Sequence, residues 1–560
     1  MMLKTQWVGA GVAAVVLTIF VRIGFIGAFS ASPMYEPHPG AHDRTLYHEA
    51  AQAVADGDIW PDGAFEYLPL YPWVLGAGYA IFGDSLLVPA GLGLACEAVT
   101  VWLIVLLARR LGARWWMALM AAGLYALYPL AVVYSPLTMP NTLNAMLVTA
   151  WAWAMQRMDS RRMAWCAGAG LVGGVTALGF AAALTVAVAF LLWEGIRGVR
   201  VRAAPWRGMA VFALAFALPV LPVAVHNSKA EGAFVLLTTH GGFNFYMGNH
   251  ERATGYPVRV RDFRMTARAM LEDAHRAAEL EMGRSLSRAE SSAWWTEQGR
   301  AYWRANPLEA AGLTLKKAAL FWNFRDVDDL RMREQLELTD GLFAGWWWPG
   351  FALFSVLGIV GLLFARNAVA PKIVLLSGMV SLVLFFITAR YRLTLIPVMA
   401  ALGASGLSAL WPMARVPVRR ALWLIPAVLV IGFPFEVRDL RVFDYYNASV
   451  QVLGSGRAEQ ALALSREGLA IDPANADLYH AQGGALAQLD RYEEAAQAFQ
   501  WTVTLNPRHA TGRYNLALSL ARLGQVCEAA AVLEEWIAIA PQDQRSVRLH
   551  ADLRQLCDNE

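Results

Sequence analysis

Residues 7–32 read "WVGAGVAAVVLTIFVRIGFIGAFSAS". A helix crossing the hydrocarbon core of a bilayer needs about 20 mostly apolar residues, and this run supplies them with one charge, Arg22, inside. Its apolar part is longer than the core of a cleavable signal peptide, so it reads as a retained first span. Arg22 lies well past the middle. At that depth an arginine either snorkels to the interface or faces a polar interior.

The same apolar character recurs outward from this run. The 560 residues are 57% hydrophobic and 16% charged, with mean hydropathy +0.39, whereas soluble domains are about a quarter charged. A net charge of +3 is too small to point to nucleic acid, so no such partner is expected. Basic residues instead gather in short loops: Arg109, Arg110 and Arg114; Arg157, Arg161 and Arg162; Arg197 to Arg207; Arg366 and Lys372; Arg415, Arg419 and Arg420. Such clusters mark cytoplasmic loops. Placing them inside gives spans near 6–28, 86–108, 117–134, 141–157, 163–179, 181–196, 208–226, 346–365, 371–388, 394–411 and 421–436, about eleven with the amino end inside. Residues 29–85, residues 227–345 and the tail after Glu436 then fall outside together. The run "PLYPWVLGAGYAIFG" is too short to cross and reads as an interfacial or re-entrant helix.

The tail changes character. Pro473, Pro507 and Pro541 stand 34 residues apart. Around them recur small residues (Gly483 and Ala517 in first helices; Ala461, Ala495 and Ala529 in second helices) and large apolar ones (Tyr479, Leu486, Phe499). That is the tetratricopeptide pattern of stacked helical hairpins, with repeats near 442–475, 476–509 and 510–543 and a capping helix. The first is degenerate at Ser449 and Gly468. Such stacks offer a concave face to protein partners; the plainer reading is a dimerisation or stability module. Cys96 and Cys166 read as packing residues, whereas Cys527 and Cys557 could pair if the tail lies in an oxidising compartment.

Chemistry-bearing residues concentrate in the outer segments. In "DRTLYHEAAQAVADGD", Leu46, Ala50, Ala53 and Val54 have helical spacing, so the stretch reads as an amphipathic helix on the membrane. Asp43 at its start suits an N-cap and equally a general base. Glu66 sits among Phe65, Tyr67 and Leu68, where a carboxylate needs a partner or metal. His38, His42 and His48 fit no zinc spacing. The "HGGFNFYMGN" loop offers Asn244, Asn249 and His250 to a polar ligand or forms a structural turn, and "NPLEAAGLTLKKAALFW" is a basic amphipathic helix carrying Lys316 and Lys317. "TARYRLTLIP" places Arg390 and Arg392 at the outer mouth of a span, where they suit a phosphate or anchor the helix end in headgroups.

In order, these segments resemble the membrane glycosyltransferases of the C-type superfamily (GT-C), and more closely the bacterial branch related to protein O-mannosyltransferases and to the aminoarabinose transferase of lipid A. The matching residues are Asp43, Tyr47, Gly57–Asp58, Phe65–Glu66 and Pro69, with the "GGFNFYMGN", "NPLEAAGLTLKKAALFW" and "ARYRLTLIP" stretches, over about residues 1–436. The resemblance implies an inverting transferase in the bacterial inner membrane, active on the periplasmic face, using a polyprenyl-phosphate sugar donor. It gives Asp43 the acceptor proton. It assigns Arg390, Arg392, Lys317 and Arg22 to the lipid phosphate, with Asn244 and Asn249 as donor-binding residues. Glu66 matches a glutamate that helps hold a divalent metal ion, with no further ligands identifiable. Asp43 is followed by Arg44, not the second acidic residue of the eukaryotic relatives, and Met139 follows Thr138 where many bacterial relatives carry glutamate.

The expected fold is therefore an all-α membrane protein: a GT-C-like membrane domain, residues 1–436, followed by an α-solenoid, 437–560. Its expected partners are the lipid-linked donor, membrane lipid and a protein bound by the repeats. A catalytically lapsed scaffold is the second reading. A transporter is disfavoured, because polar residues deep in the spans are few beyond Arg22, Glu97 and Glu194.

Overall fold

The computed structural model describes residues 2–35, 43–158, 162–200, 206–257, 267–343, 349–411, 422, 424–435, 441–540 and 543–558. His38, His42, Arg161, Arg415, Arg419, Arg420 and Pro541 lie outside them. Every regular element among the described residues is a helix, and the chain divides into two compact units.

The larger unit takes Met1–Ala28, Pro39–Leu330 and Trp347–Phe435. In chain order its helices are α1 (Met2–Phe29), α2 (Asp43–Ala55), α3 (Leu70–Phe82), α4 (Leu87–Arg110), α5 (Trp115–Ala126), α6 (Pro129–Tyr134), α7 (Asn141–Gln156), α8 (Met163–Ala177), α9 (Ala183–Arg200) and α10 (Trp206–Glu231). They continue as α11 (Gly241–Gly248), α12 (Ala267–Met282), α13 (Arg288–Ala305) and α14 (Pro307–Trp322). Among the described residues, three helices of this unit are long and apolar enough to cross a membrane, within Thr5–Phe29, Leu87–Arg110 and Trp206–Glu231, and six further apolar helices are shorter.

The expected span 117–134 is two helices. Pro129 lacks the N–H that would continue α5 and forces Tyr128 into extended backbone, so the chain breaks and restarts. The pair expected within 163–196 is two helices, α8 and α9, separated by a turn. Where α8 meets α10, Gly170 and Gly174 lie against the carbonyls of Phe212 and Phe216, and a Cβ at either would collide with backbone. This is the small-residue packing that lets apolar helices approach closely.

The helix α2 does not lie bare on its apolar face. Ala51 and Val54 pack against Gly76 of α3, and Ala51, Tyr71, Leu75 and Tyr79 share a core with Cys96 and Leu143. The predicted apolar face exists, but protein covers it.

The smaller unit takes Phe29–His38, Arg331–Trp346 and Glu436–Glu560. It holds α15 (Met332–Asp340). The larger unit resumes with α16 (Phe351–Phe364), α17 (Val369–Leu384), α18 (Ala389–Leu393), α19 (Ile396–Leu410) and α20 (Leu424–Gly432). The tail is α21 (Arg441–Gly454), α22 (Ala458–Ile471), α23 (Ala476–Gln488), α24 (Tyr492–Leu505), α25 (Ala510–Arg522), α26 (Val526–Ile539) and α27 (Gln544–Cys557). Three hairpins and a final helix result. Their turns carry Gly456, Asp490 and Gly524 in the left-handed region, again 34 residues apart. Ala461, Ala495, Ala517 and Ala529 are fully buried, and a Cβ on Gly483 would meet the Phe499 ring. The degenerate first hairpin closes in its own way, with the Ser449 hydroxyl donating to Ala461 O (2.9 Å) and Gly468 admitting Leu478. Cys527 and Cys557 form a disulfide tying α26 to the end of α27.

Two segments expected in the outer loops belong to this unit. Arg331 holds Asp444 of α21 through two bonds (2.8 and 2.5 Å). Gln451 donates to Pro33 O (2.9 Å), and Ser32 donates to Asp340 (2.5 Å).

Candidate active site

Asp43 opens α2 and carries an ion pair. Its Oδ2 receives Arg390 Nη1 at 2.7 Å, and Arg390 Nη2 lies 2.6 Å from Asp329 Oδ2. One guanidinium thus bridges two carboxylates from distant parts of the chain. The Thr388 hydroxyl donates to Asp329 Oδ1 (2.7 Å), so both oxygens of Asp329 are engaged. Among the described residues, only the Oδ2 of Asp43 is bonded. The segment 388–390 is fixed by Ala389 N donating to Val327 O (2.8 Å) and Asn141 Nδ2 donating to Arg390 O (2.9 Å).

Aromatic rings wall this group. Tyr47 lies 5.5 Å from Tyr67 between centroids, Tyr67 lies 5.4 Å from His240, and Arg390 lies over Tyr391 at 5.2 Å. Burial, reinforced by the charge of Asp43, holds the Tyr47 and Tyr67 hydroxyls above the usual phenol range. Burial pushes His240 down to about 4, with Arg288 adding to the effect, so its imidazole is neutral near pH 7. Among the described residues, the buried Tyr67 hydroxyl has no hydrogen-bond partner.

The other candidate cations are distributed differently. Arg390 and Arg392 are two apart on a helix, about 200° around its axis, and point to different neighbours. Arg392 donates to the carbonyls of Leu320 (3.2 Å), Asn323 (3.1 Å) and Arg325 (2.5 Å) and to Asp326 (3.2 Å). It caps the end of α14, where the orphan carbonyls of a helix collect, and is closed to a donor phosphate. Arg22 is equally closed. It pairs with Glu97 at 2.8 Å, both side chains fully buried, and donates to Ala126 O (2.6 Å), a carbonyl at the end of α5. Tyr125 OH completes the Glu97 shell (2.9 Å).

Lys317 is fully buried. Its Nζ donates to Asn249 Oδ1 (3.1 Å), which also accepts from Trp303 (3.0 Å). Asn249 Nδ2 donates to Phe245 O and Leu384 O, so this amide is a clamp with no valence left for a donor. Asn244 is half-buried on α11. No carboxylate among the described residues pairs with Lys317, and burial pushes its ammonium down to about 8.

Among the described residues, none joins Glu66 in a metal site. This glutamate is half-exposed, 3.9 Å from Arg288, and no three His, Cys, Asp or Glu among the described residues cluster as ligands. His48 faces Tyr79 OH (2.9 Å). Among the described residues, the donor set beside Glu66 does not fit the divalent metal that the resemblance implied there.

Sequence reasoning passed over Asp326, Asp328 and Asp329. Asp328 accepts Tyr134 OH (2.8 Å) and Asp326 accepts Tyr128 OH (2.7 Å). The signal was present: "RDVDDL" packs three carboxylates into four positions just after an apolar helix.

Residues 66–222 match the family model described as dolichyl-phosphate-mannose-protein mannosyltransferase, and residues 480–544 match the tetratricopeptide repeat. Over 90 residues the chain is 34% identical to the Hsp70-Hsp90 organizing protein of Triticum aestivum, a match spanning 16% of either chain. Among solved structures it is similar to ArnT from Cupriavidus metallidurans bound to undecaprenyl phosphate (17% identity, TM-score 0.39) and in the apo state (16%, 0.37), each covering 95% of this chain and 80% of that one. The chain thus carries a stretch that matches the mannosyltransferase model ahead of one that matches the tetratricopeptide repeat.

Proposed function

We propose that this membrane chain is a glycosyltransferase that moves a sugar from a polyprenyl-phosphate carrier to a hydroxyl of an extracytoplasmic acceptor, a protein or an envelope glycan or lipid, with inversion. The observation carrying this reading is the Asp43 carboxylate, fixed through one oxygen on Arg390 and unbonded at the other among the described residues. The mannosyltransferase match over 66–222 supports the reaction class.

In the proposed step the acceptor hydroxyl donates to Asp43 Oδ1. As its oxygen bonds to the anomeric carbon, its proton passes to Asp43. The bond from that carbon to the carrier's phosphate oxygen breaks, and the electron pair leaves with the lipid phosphate. Asp43, Arg390 and Asp329 together carry a charge of −1, so Arg390 orients the base and leaves no net positive charge for the leaving group. Lys317, a buried cation with no carboxylate partner among the described residues, is assigned to that phosphate, where a fixed charge in a dry site counts most.

The reading includes about eleven crossings, the amino end inside, and both long loops and the repeats on the periplasmic face of a bacterial inner membrane. The Cys527–Cys557 disulfide supports that side for the tail, because cytosolic thiols are kept reduced. The repeats would hold a protein acceptor or partner on their concave face.

The test is transfer by purified Asp43→Asn protein in proteoliposomes, supplied with undecaprenyl-phosphate mannose and an envelope extract. Loss of product with wild-type insertion is expected. Retained product would overturn the general-base assignment.

A further inference from the structure

Arg390 serves two carboxylates that are held unequally. Among the described residues, Asp43 is bound through Oδ2 alone. Asp329 is bound through both oxygens, by Arg390 at 2.6 Å and the Thr388 hydroxyl at 2.7 Å. The backbone bond from Ala389 N to Val327 O (2.8 Å) sets these two segments against each other independently of the side chains. All three charged side chains are largely shielded from water, so their mutual field is poorly screened.

Two consequences follow from charge alone. An arginine bonded to a carboxylate lowers its proton affinity, and a second carboxylate nearby raises it. Asp329 opposes Arg390: its negative charge offsets part of the guanidinium's field at Asp43. Saturated by its two donors, Asp329 is not itself placed to take a proton from a substrate.

We propose that Asp329 is a positioning residue that acts on Asp43 through its charge, set against that of the Arg390 guanidinium that holds both carboxylates in place. This rests on the general-base reading of Asp43. The other groups facing Asp43 are Tyr47 on its own helix, Tyr67 before α3, His240 before α11 and Tyr391 beside Arg390. Of these, His240 is neutral near pH 7 and the tyrosines are held protonated, so none competes with Asp329 as a source of negative charge.

The sign is fixed. Removing the charge of Asp329 gives Arg390 wholly to Asp43, so the carboxylate becomes a weaker base and protonates only at lower pH. Asp329→Asn is the suitable variant, because the amide oxygen can still accept from Thr388 or Arg390 and the backbone bond is untouched.

The experiment needs no substrate. Water-soluble carbodiimide modifies the protonated carboxyl, so labelling of Asp43 followed by mass spectrometry against pH reports its titration in the full-length protein. The exposed Glu49, paired with Arg268, serves as internal control. In Asp329→Asn the Asp43 midpoint should fall by about one pH unit with Glu49 unmoved, and the acid limb of kcat against pH, read with undecaprenyl-phosphate mannose, should move the same way. A second neutral variant, Asp329→Ser, is read identically, and Asp329→Glu should restore a midpoint near wild type. An Asp43 midpoint that is unchanged or raised in the neutral variants would overturn the proposal. Retained transfer in Asp43→Asn would instead overturn the underlying reading while leaving the titration result intact.

Discussion

Two arginine–carboxylate clusters in the membrane unit invite comparison. Arg22, Glu97 and Tyr125 form one, deep among α1, α4 and α5. Arg390, Asp43 and Asp329 form the other. Both contain hydrogen bonds of 2.6–2.9 Å, and both join segments far apart in sequence. They differ in what is left over. The first has fully buried charges in balance, one plus and one minus, with both Glu97 oxygens bonded. The second has an excess negative charge, a partly exposed Asp43 and a carboxylate oxygen that no described residue bonds. Burial of charge therefore does not mark a reaction site by itself. A closed cluster holds helices together, whereas one with an open valence and unbalanced charge can do chemistry.

That distinction is broken or sharpened most strongly by crossed substitutions. Asp43→Asn should lower transfer about 10²–10⁴-fold, the range for a general base, without lowering the thermal midpoint of the detergent-solubilised protein. Glu97→Leu should do the reverse, destabilising the fold by about 3–5 kcal/mol because Arg22 is left buried and uncompensated. The double change Arg22→Met with Glu97→Leu should recover much of that loss. Equal loss of stability in both single variants would erase the contrast.

A smaller effect is expected at Lys317. Lys317→Met should raise the KM for the lipid-linked donor more than it changes folding. In the wild type, donor affinity should fall as pH rises through about 8, where the ammonium loses its proton. Its folded-state pKa lies below that of an unfolded lysine, so the unfolded chain binds more protons between about 8 and 10.5 and stability rises with pH across that window. A donor KM flat from pH 7 to 9 would remove Lys317 from the phosphate site.

The smallest effect on transfer belongs to the disulfide. Cys527→Ser should lower the stability of the repeat unit by about 3 kcal/mol, read by thermal unfolding under non-reducing conditions, and leave transfer to a small acceptor unchanged. Loss of transfer would show that the last repeat matters to the chemistry itself.

The helical architecture was legible because its signals are periodic: apolar runs of membrane length, prolines every 34 residues, small residues where helices touch. Asp43 could be picked out as a candidate from its place after the first span. The fate of Arg22 and Arg392 was not, because sequence reveals a costly charge without naming its partner; Glu97 lies 75 residues from Arg22 and Asp326 lies 66 residues from Arg392. Asp329 escaped for the same reason. The break at Pro129 was readable in principle, since proline cannot continue a helix, but the apolar run across it concealed the interruption. The smaller unit's use of residues 29–35 and 331–343 also depends on pairings, Arg331 with Asp444 and Gln451 with Pro33, that no local pattern announces.

The most direct test is mass spectrometry of envelope glycans and glycoproteins from cells carrying the wild-type chain, no chain, or the Asp43→Asn chain at matched membrane levels. A glycosylated species present with the wild type and absent from both other strains is the predicted result. The same species restored by the Asp43→Asn chain, or unchanged without any chain, would contradict it.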